Sequence, residues 1–145
     1  GAFVPSLTPA QVAQVLETRQ MIEQWCAREA IAKGRVPIEE MTSYLEQQQA
    51  VVRGASLTFI ERDRDFHSVL VAATGNEVLM DMYEALRVRH VIIGVAAVER
   101  PGASSEDVLT EHEAILLALK AGDADAANDA IAEHLAATHR RLVLQ

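Results

Sequence analysis

The stretch ERDRDFHSVLVAATGN, residues 61–76, has the spacing of a helix that buries one face. Phe66 and Leu70 are four residues apart and therefore share that face. Asp63 and His67 fall on it as well, although both side chains are costly to bury without partners. The stretch thus predicts a core-facing helix that carries two ionisable groups inward.

The rest of the chain repeats this helical pattern between short segments rich in glycine, proline and capping residues. Thr8 is placed as an N-cap with Pro9 at the first helical position, Gly34 as a helix stop and Asn76 as a further N-cap. Six helices are predicted, at about 9–33, 37–53, 57–73, 77–98, 105–120 and 124–143. We expect an all-α, antiparallel bundle that forms one domain over the whole chain, with consecutive helices as neighbours.

Composition limits the functions open to this chain. Its 145 residues suffice for one domain, half are hydrophobic, and Cys26 is the only cysteine, so no internal disulfide is expected. The net charge of −8, with 13 lysines and arginines, argues against direct binding of nucleic acid. No apolar run approaches the roughly 20 residues of a membrane span, and we expect a cytoplasmic protein. Because the chain starts at Gly1 rather than methionine, we expect a piece of a longer protein.

Two later helices also place a histidine on the apolar face. His112 lies on the stripe of the predicted fifth helix, and His134 lies on that of the sixth. Each alone could be a core-edge histidine bonded to a backbone carbonyl, and His90 is expected to be a packed or rim residue. A backbone carbonyl does not explain Asp63, because an inward carboxylate needs a cation, a network of donors or a proton.

One divalent metal ion would satisfy all of these groups together. Asp63 and His67, four residues apart on one helix, could bind the same ion, with His112 and His134 as the remaining ligands. Three imidazoles and one carboxylate suit zinc, nickel, iron, cobalt or manganese better than calcium or magnesium. The hypothesis requires that three separate helices meet at one point.

Two arginines are candidates for a ligand pocket beside the metal. Arg19 lies on the apolar stripe of the first helix, and Arg89 lies on the line through Met82, Leu86 and Ile93. The alternative is that both long side chains pass over apolar surface to reach solvent. If they face inward, they are suited to bind a carboxylate in bidentate fashion.

The ordered set of motifs resembles the FCD domain, the all-helical effector-binding domain of many GntR-type bacterial transcription regulators. The resemblance is carried by Asp63-Arg-Asp-Phe-His67 with Leu70 and Gly75-Asn76, by Glu111-His112 with Ile115, and by Gly122-Asp123, Ala126 and His134-Leu135. It covers nearly the whole chain. It implies a bundle of six or seven helices around a central cavity for a metal ion and a ligand.

The resemblance also implies a function. The metal ligands of the family fall on the same four residues that the helical stripes single out. Its members commonly bind small organic acids and often have arginine at the positions of Arg19 and Arg89. A homodimer is expected, which binds DNA only through an N-terminal winged-helix domain that this chain lacks. The chain is therefore expected to sense a ligand for a transcription regulator and not to be an enzyme.

Two alternatives of other classes stay open at this point. Open positions on the same metal ion could activate water, which would make the chain a metal-dependent enzyme acting on a small carboxylate. Against this, Asp63 is the one inward acid identified, and as a metal ligand it is not available as a general base. A metal-free helical oligomerisation module with hydrogen-bonded histidines is the other alternative.

Overall fold

The computed structural model describes residues 7–143, and α-helices account for most of this part of the chain. They are α1 (Pro9–Ala32), α2 (Ile38–Ala50), α3 (Ser56–Ala73), α4 (Glu77–Glu84), α5 (Arg87–Val98), α6 (Ser105–Lys120) and α7 (Ala124–Val143). The predicted all-α fold is confirmed. Within the described residues, none of these helices combines the length and the apolar character needed to cross a membrane.

The helix boundaries follow local signals in the sequence. The Thr8 N–H donates to the Gln11 side chain at 2.9 Å, and the Gln11 N–H donates to Thr8 Oγ1 at 3.1 Å, which forms a capping box at the start of α1. Asn76 Oδ1 accepts from the Leu79 N–H at 2.9 Å and caps α4. Gly34 has a φ of 64°, so the chain can leave α1 through a conformation that other residues rarely adopt.

The helix predicted over 77–98 is two helices in the structure. α4 ends at Glu84 and α5 begins at Arg87. The intervening residues are neither glycine nor proline, so no local signal marks the break. The interruption lets α4 lie against α3 and α1, whereas α5 lies against α3, α7 and α1. The periodicity thus predicted one helix too few in the described residues, whereas the six or seven helices that the resemblance implied include the number observed.

Five of the helices close a ring. α1 packs against α3, α3 against α2, α2 against α6, α6 against α7, and α7 back against α1. The expectation that consecutive helices are neighbours holds for α2 with α3, α3 with α4 and α6 with α7, but α1 packs against α7 and α3 instead of α2. Large buried side chains such as Phe59, Phe66 and Met41 fill the interior. The ring turns the inward faces of α3, α6 and α7 toward a common centre.

α5 approaches α3 closely at Gly94. A Cβ atom added at Gly94 would lie 2.7 Å from Ile60 Cγ2, so the Ile60 side chain or one of the two helices would have to shift. We expect Gly94→Ala to destabilise the chain by about 1–3 kcal/mol, measured by urea unfolding. Adding Ile60→Ala should remove the clash, so the double variant should lose less stability than the two single losses combined. Simple additivity of the two losses would contradict this close contact.

Candidate metal centre

Four ionisable side chains from three helices meet in the interior of the ring. Asp63 and His67 lie one turn apart on α3, His112 lies in the middle of α6, and His134 lies in the middle of α7. All four are buried, and one side-chain ligand atom from each lies within 4.8 Å of the others. The structure thus brings together the residues that the sequence hypothesis assigned to one metal ion.

The distances between these atoms match those of ligands around one ion. His112 Nε2 lies 3.1 Å from His67 Nε2 and 3.3 Å from His134 Nε2. Asp63 Oδ1 lies 3.1 Å from His67 Nε2 and 3.3 Å from His112 Nε2. Ligand atoms about 2.0–2.2 Å from a common ion, at tetrahedral or octahedral angles, are about 2.8–3.6 Å apart. These four separations fall within this range, and all of the ligand atoms lie within 4.8 Å of one another.

The other nitrogen of each ring contacts an oxygen atom that fixes the ring orientation. Each Nδ1 lies 2.7–2.8 Å from a side-chain oxygen: Gln48 Oε1 for His112, Glu111 Oε1 for His134, and Glu23 Oε1 for His67. Carboxylate and amide oxygens accept hydrogen bonds, so in the neutral ring Nδ1 carries the hydrogen. Each Nε2 then presents a lone pair to the centre, which is the state that a metal-binding histidine requires.

The centre therefore contains acceptor atoms without a donor. Three Nε2 lone pairs face Asp63 Oδ1, which is buried and has no hydrogen-bond partner. Acceptors at these distances repel one another unless a cation or an extra proton lies between them. A divalent transition metal would satisfy all of them at once, and three imidazoles with one carboxylate suit such an ion. The residues present fit a metal centre.

Burial controls the protonation of these groups. It lowers the pKa of His112 to about 4 and that of His134 to about 3, so both rings are neutral at pH 7. Burial opposes a charge on Asp63, but in acid the protonated His112 ring and N–H donors of the neighbouring rings hold the pKa of its carboxyl well below the usual value. At His67 burial also opposes the charge, yet the Glu23 carboxylate raises the pKa. His67 is thus the ring at which a proton competes most strongly with a metal ion.

A small cavity lies beside the metal centre. Asp63 and His134 line it together with Arg19, His90 and apolar residues of α3, α5 and α6. Its volume is about 10 Å³, which is room for one water molecule at most. An organic acid would enter this cavity only if one of its walls moved.

Arg19 faces this cavity from α1. Its Nε donates to Glu23 Oε2 at 2.8 Å, whereas its Nη2 is buried and has no hydrogen-bond partner. Glu23 Oε2 also accepts from the Tyr83 hydroxyl at 3.0 Å. The guanidinium therefore keeps one buried donor group without an acceptor, beside the metal centre. Such a group is suited to a carboxylate.

The family model of the FCD domain matches residues 14–137. The chain belongs to the FCD domain family. Over 138 residues, or 94% of this chain, it is 25% identical to the "Probable D-xylose utilization operon transcriptional repressor" of Paenarthrobacter nicotinovorans. The aligned part spans 60% of the length of that repressor.

Solved structures share the fold of this FCD domain. The metal-free FCD domain of TM0439 has a TM-score of 0.75 at 23% identity, and the match covers 91% of each chain. The Zn2+-bound FCD domain of TM0439 has a TM-score of 0.72 at 22% identity, again with 91% of each chain covered. E. coli McbR/YncC has a TM-score of 0.71 at 19% identity, covering 88% of this chain and 61% of its own.

Arg89 of this FCD domain does not face the cavity. Its side chain is exposed and lines a separate surface depression between α1 and α5, near Gln11 and Thr18. The next residue, His90, faces inward instead, and its Nε2 lies 3.9 Å from Asp63 Oδ1. The inward orientation expected of Arg89 is wrong, whereas His90 is packed in the interior, which is one of the two positions expected of it. α5 carries apolar residues on most of its sides, so periodicity alone did not define its buried face.

The residues that hold the histidine rings of this FCD domain were not found from the sequence. They are Glu23, Gln48 and Glu111. Glu23 lies four residues after Arg19 on the same stripe, and Gln48 lies on the buried face of α2 that includes Met41. If the buried stripes of the first and second helices are extended through their polar positions, they include both residues. Glu111 has a weaker signal, because it is only partly buried.

Proposed function

We propose that this FCD domain senses a small organic acid for a GntR-type transcription regulator, with a bound divalent metal ion as part of the sensor. Asp63, His67, His112 and His134 would hold the ion, and zinc suits this ligand set best. The observation that carries the proposal is the convergence of four buried potential ligand atoms, among which Asp63 Oδ1 has no hydrogen-bond partner. The ion would supply a positive centre to which a carboxylate can bind.

The proposed acid binds between the ion and Arg19. A divalent ion with one carboxylate ligand and three neutral imidazoles keeps a net positive charge. The Arg19 guanidinium, with its unpaired Nη2, adds a second positive group on the same side of the cavity. Inside a chain with a net charge of −8, such a centre favours a small anion over a cation or a neutral ligand.

Regulation would act through parts of the protein outside the FCD domain. A winged-helix DNA-binding domain would read the operator, and the acid would favour one placement of two such domains in a cytoplasmic homodimer. Exposed apolar side chains support a dimer, since Met21 and Trp25 lie one turn apart on α1 and Val78 and Met82 lie one turn apart on α4. Membership in the FCD domain family supports the regulatory proposal as a whole.

A metal-dependent enzyme is the weaker proposal. Apart from Asp63, which would be a metal ligand, the carboxylates nearest the histidine rings are already paired, Glu23 with Arg19 and Glu111 with Arg141. Each would have to leave its arginine to act as a general base. Turnover of a bound acid that stops on chelation would favour the enzyme.

Calorimetry on the zinc-loaded chain tests the acid site. With a panel of hydroxy, keto and dicarboxylic acids, we expect at least one acid to bind, and Arg19→Lys to weaken that binding by about tenfold or more. Lysine keeps the charge opposite Glu23 but loses the bidentate donor pair. Arg89→Ala serves as the matched control and should bind with unchanged affinity. Equal affinities in the wild type and Arg19→Lys would remove Arg19 from the site.

A further inference from the structure

The inner cavity lies close to a much larger cleft on the surface. This cleft has a volume of about 440 Å³ and opens between the α5–α6 loop, the first half of α6 and the second half of α7. Arg100, Arg140 and Arg141 line it, with Asp107, Glu111 and Glu133 as the acidic residues. The cleft is large enough for a small organic acid, whereas the inner cavity is not.

Arg141 separates the cleft from the inner cavity. Within residues 7–143 it is the one residue that lines both spaces. Its Nη1 donates to Glu111 Oε1 at 3.2 Å, and its Nη2 contacts Glu111 Oε2. Glu111 Oε1 in turn contacts Nδ1 of His134. Arg141, held by its ion pair with Glu111, therefore borders both the surface cleft and the cavity beside the metal centre.

We propose that the cleft is the outer end of the access route to the metal centre and that Arg141 is the residue that closes this route. The inference rests on the proposed metal centre and names how the ion and a small carboxylate reach it. When an incoming carboxylate replaces Glu111 as the partner of Arg141, the side chain of Arg141 turns out of the wall. The opening joins the 440 Å³ cleft to the inner cavity.

Three features make Arg141 the wall residue that moves. It lies in the last turn of α7, where helices open most easily. Its side chain is 12% exposed, unlike Arg19 at 4%, so it can turn toward solvent. Glu111 keeps its contact with His134 when the Arg141 side chain moves away, so the Glu111 carboxylate still has a partner.

The chemistry of the wall selects for carboxylates. An incoming carboxylate takes the place of Glu111 on the guanidinium, so one ion pair is exchanged for another of the same kind. A cation or a neutral molecule offers no such exchange. Arg140, which pairs with Glu133 at 2.5 Å, adds a second exchangeable guanidinium in the cleft.

Release of zinc to a chromogenic chelator tests the route. If opening of the wall limits release, Arg141→Ala should release zinc about fivefold faster than the wild type, the factor that loss of one partly exposed ion pair gives. Ala103→Trp places a large side chain in the cleft, away from the metal centre, and should slow release. Arg89→Ala removes an arginine that lines a separate depression and should release zinc at the wild-type rate.

Arg141→Ala is expected to speed zinc release and Ala103→Trp to slow it, so the two results test the route independently. Equal release rates in Arg141→Ala and the wild type would overturn the role of Arg141. An unchanged rate in Ala103→Trp would overturn the cleft as the route, even if Arg141→Ala failed to fold. Failure of the wild type to retain zinc at all would instead contradict the metal centre itself, so the two proposals fail by different results.

Discussion

Asp63→Asn should abolish metal binding by the purified chain. The wild type is expected to carry about one metal ion per chain by elemental analysis, because it offers one buried set of four ligands. The amide replaces the one anionic ligand of the set. The variant is therefore expected to carry almost no metal after dialysis against micromolar zinc, and His134→Ala should behave in the same way.

Thermal unfolding should show the difference in metal binding between the wild type and Asp63→Asn as a difference in stability. Zinc at about 100 times its dissociation constant is expected to stabilise the wild type by about 2.7 kcal/mol, which corresponds to a rise in Tm of roughly 5–10 °C. In a chelator, Asp63→Asn should unfold close to the wild type, because the amide has nearly the volume of the carboxyl and its N–H can donate to a ring nitrogen. The stability difference should thus appear only when metal is added.

His139→Ala supplies the matched control. His139 lies on α7 like His134, but it is only partly buried and lines a different surface depression, beside Leu16 and Leu135. This variant should retain the wild-type stoichiometry and the full thermal response to zinc. Full metal content in both Asp63→Asn and His134→Ala would show that the ion, if any, binds elsewhere.

Glu23→Leu is expected to cause the largest loss of folding stability. Glu23 is completely buried and pairs with Arg19, which is itself buried. Removal of one partner leaves an uncompensated charge in the interior, at a cost of about 3–5 kcal/mol. Tyr83 loses its acceptor in the same step, and His67 loses its contact with a carboxylate. Urea unfolding should show the loss as a lower midpoint.

A double variant separates the charge effect from general damage to the core. Arg19→Met combined with Glu23→Leu replaces the ion pair by apolar groups, so it should be more stable than Glu23→Leu alone. Glu17→Ala, an exposed acid on the same helix, should change stability by no more than about 0.5 kcal/mol. A double variant no more stable than Glu23→Leu would show that Arg19 is not the cause of the loss.

The fold could be predicted where its causes are local. A helix cap such as Thr8 or Asn76 acts on residues within one turn, so the sequence around it determines where the helix starts. The interruption between α4 and α5 has no such local cause, and it was missed. On α5, Val88 is 69% exposed and Ile93 is 1% exposed, although both are β-branched apolar residues. Tertiary packing, not residue type, decides which of them is buried.

The candidate site also combines features that the local sequence predicts with contacts that only the tertiary packing determines. The residue types at positions 63, 67, 112 and 134 and their places on apolar stripes predicted a metal site, because burial of such groups requires a partner. Whether the four residues converge depends on how the helices pack into a ring, and the apolar stripe of a single helix does not determine that packing. The Arg141–Glu111 pair joins residues 30 positions apart on two helices. Such a pair follows from the crossing of α6 and α7 and has no signal in either segment alone.

The contacts of the three histidine rings extend the metal centre beyond its own ligands. Through Glu23 and Gln48 it also involves α1 and α2, so one ion would connect every helix of the ring, from the first to the last. An ion bound there would therefore act as a reversible crosslink between distant parts of the chain. Unlike a disulfide, this link would form or dissolve with the supply of metal in the cell, and the chain needs no second cysteine to make it.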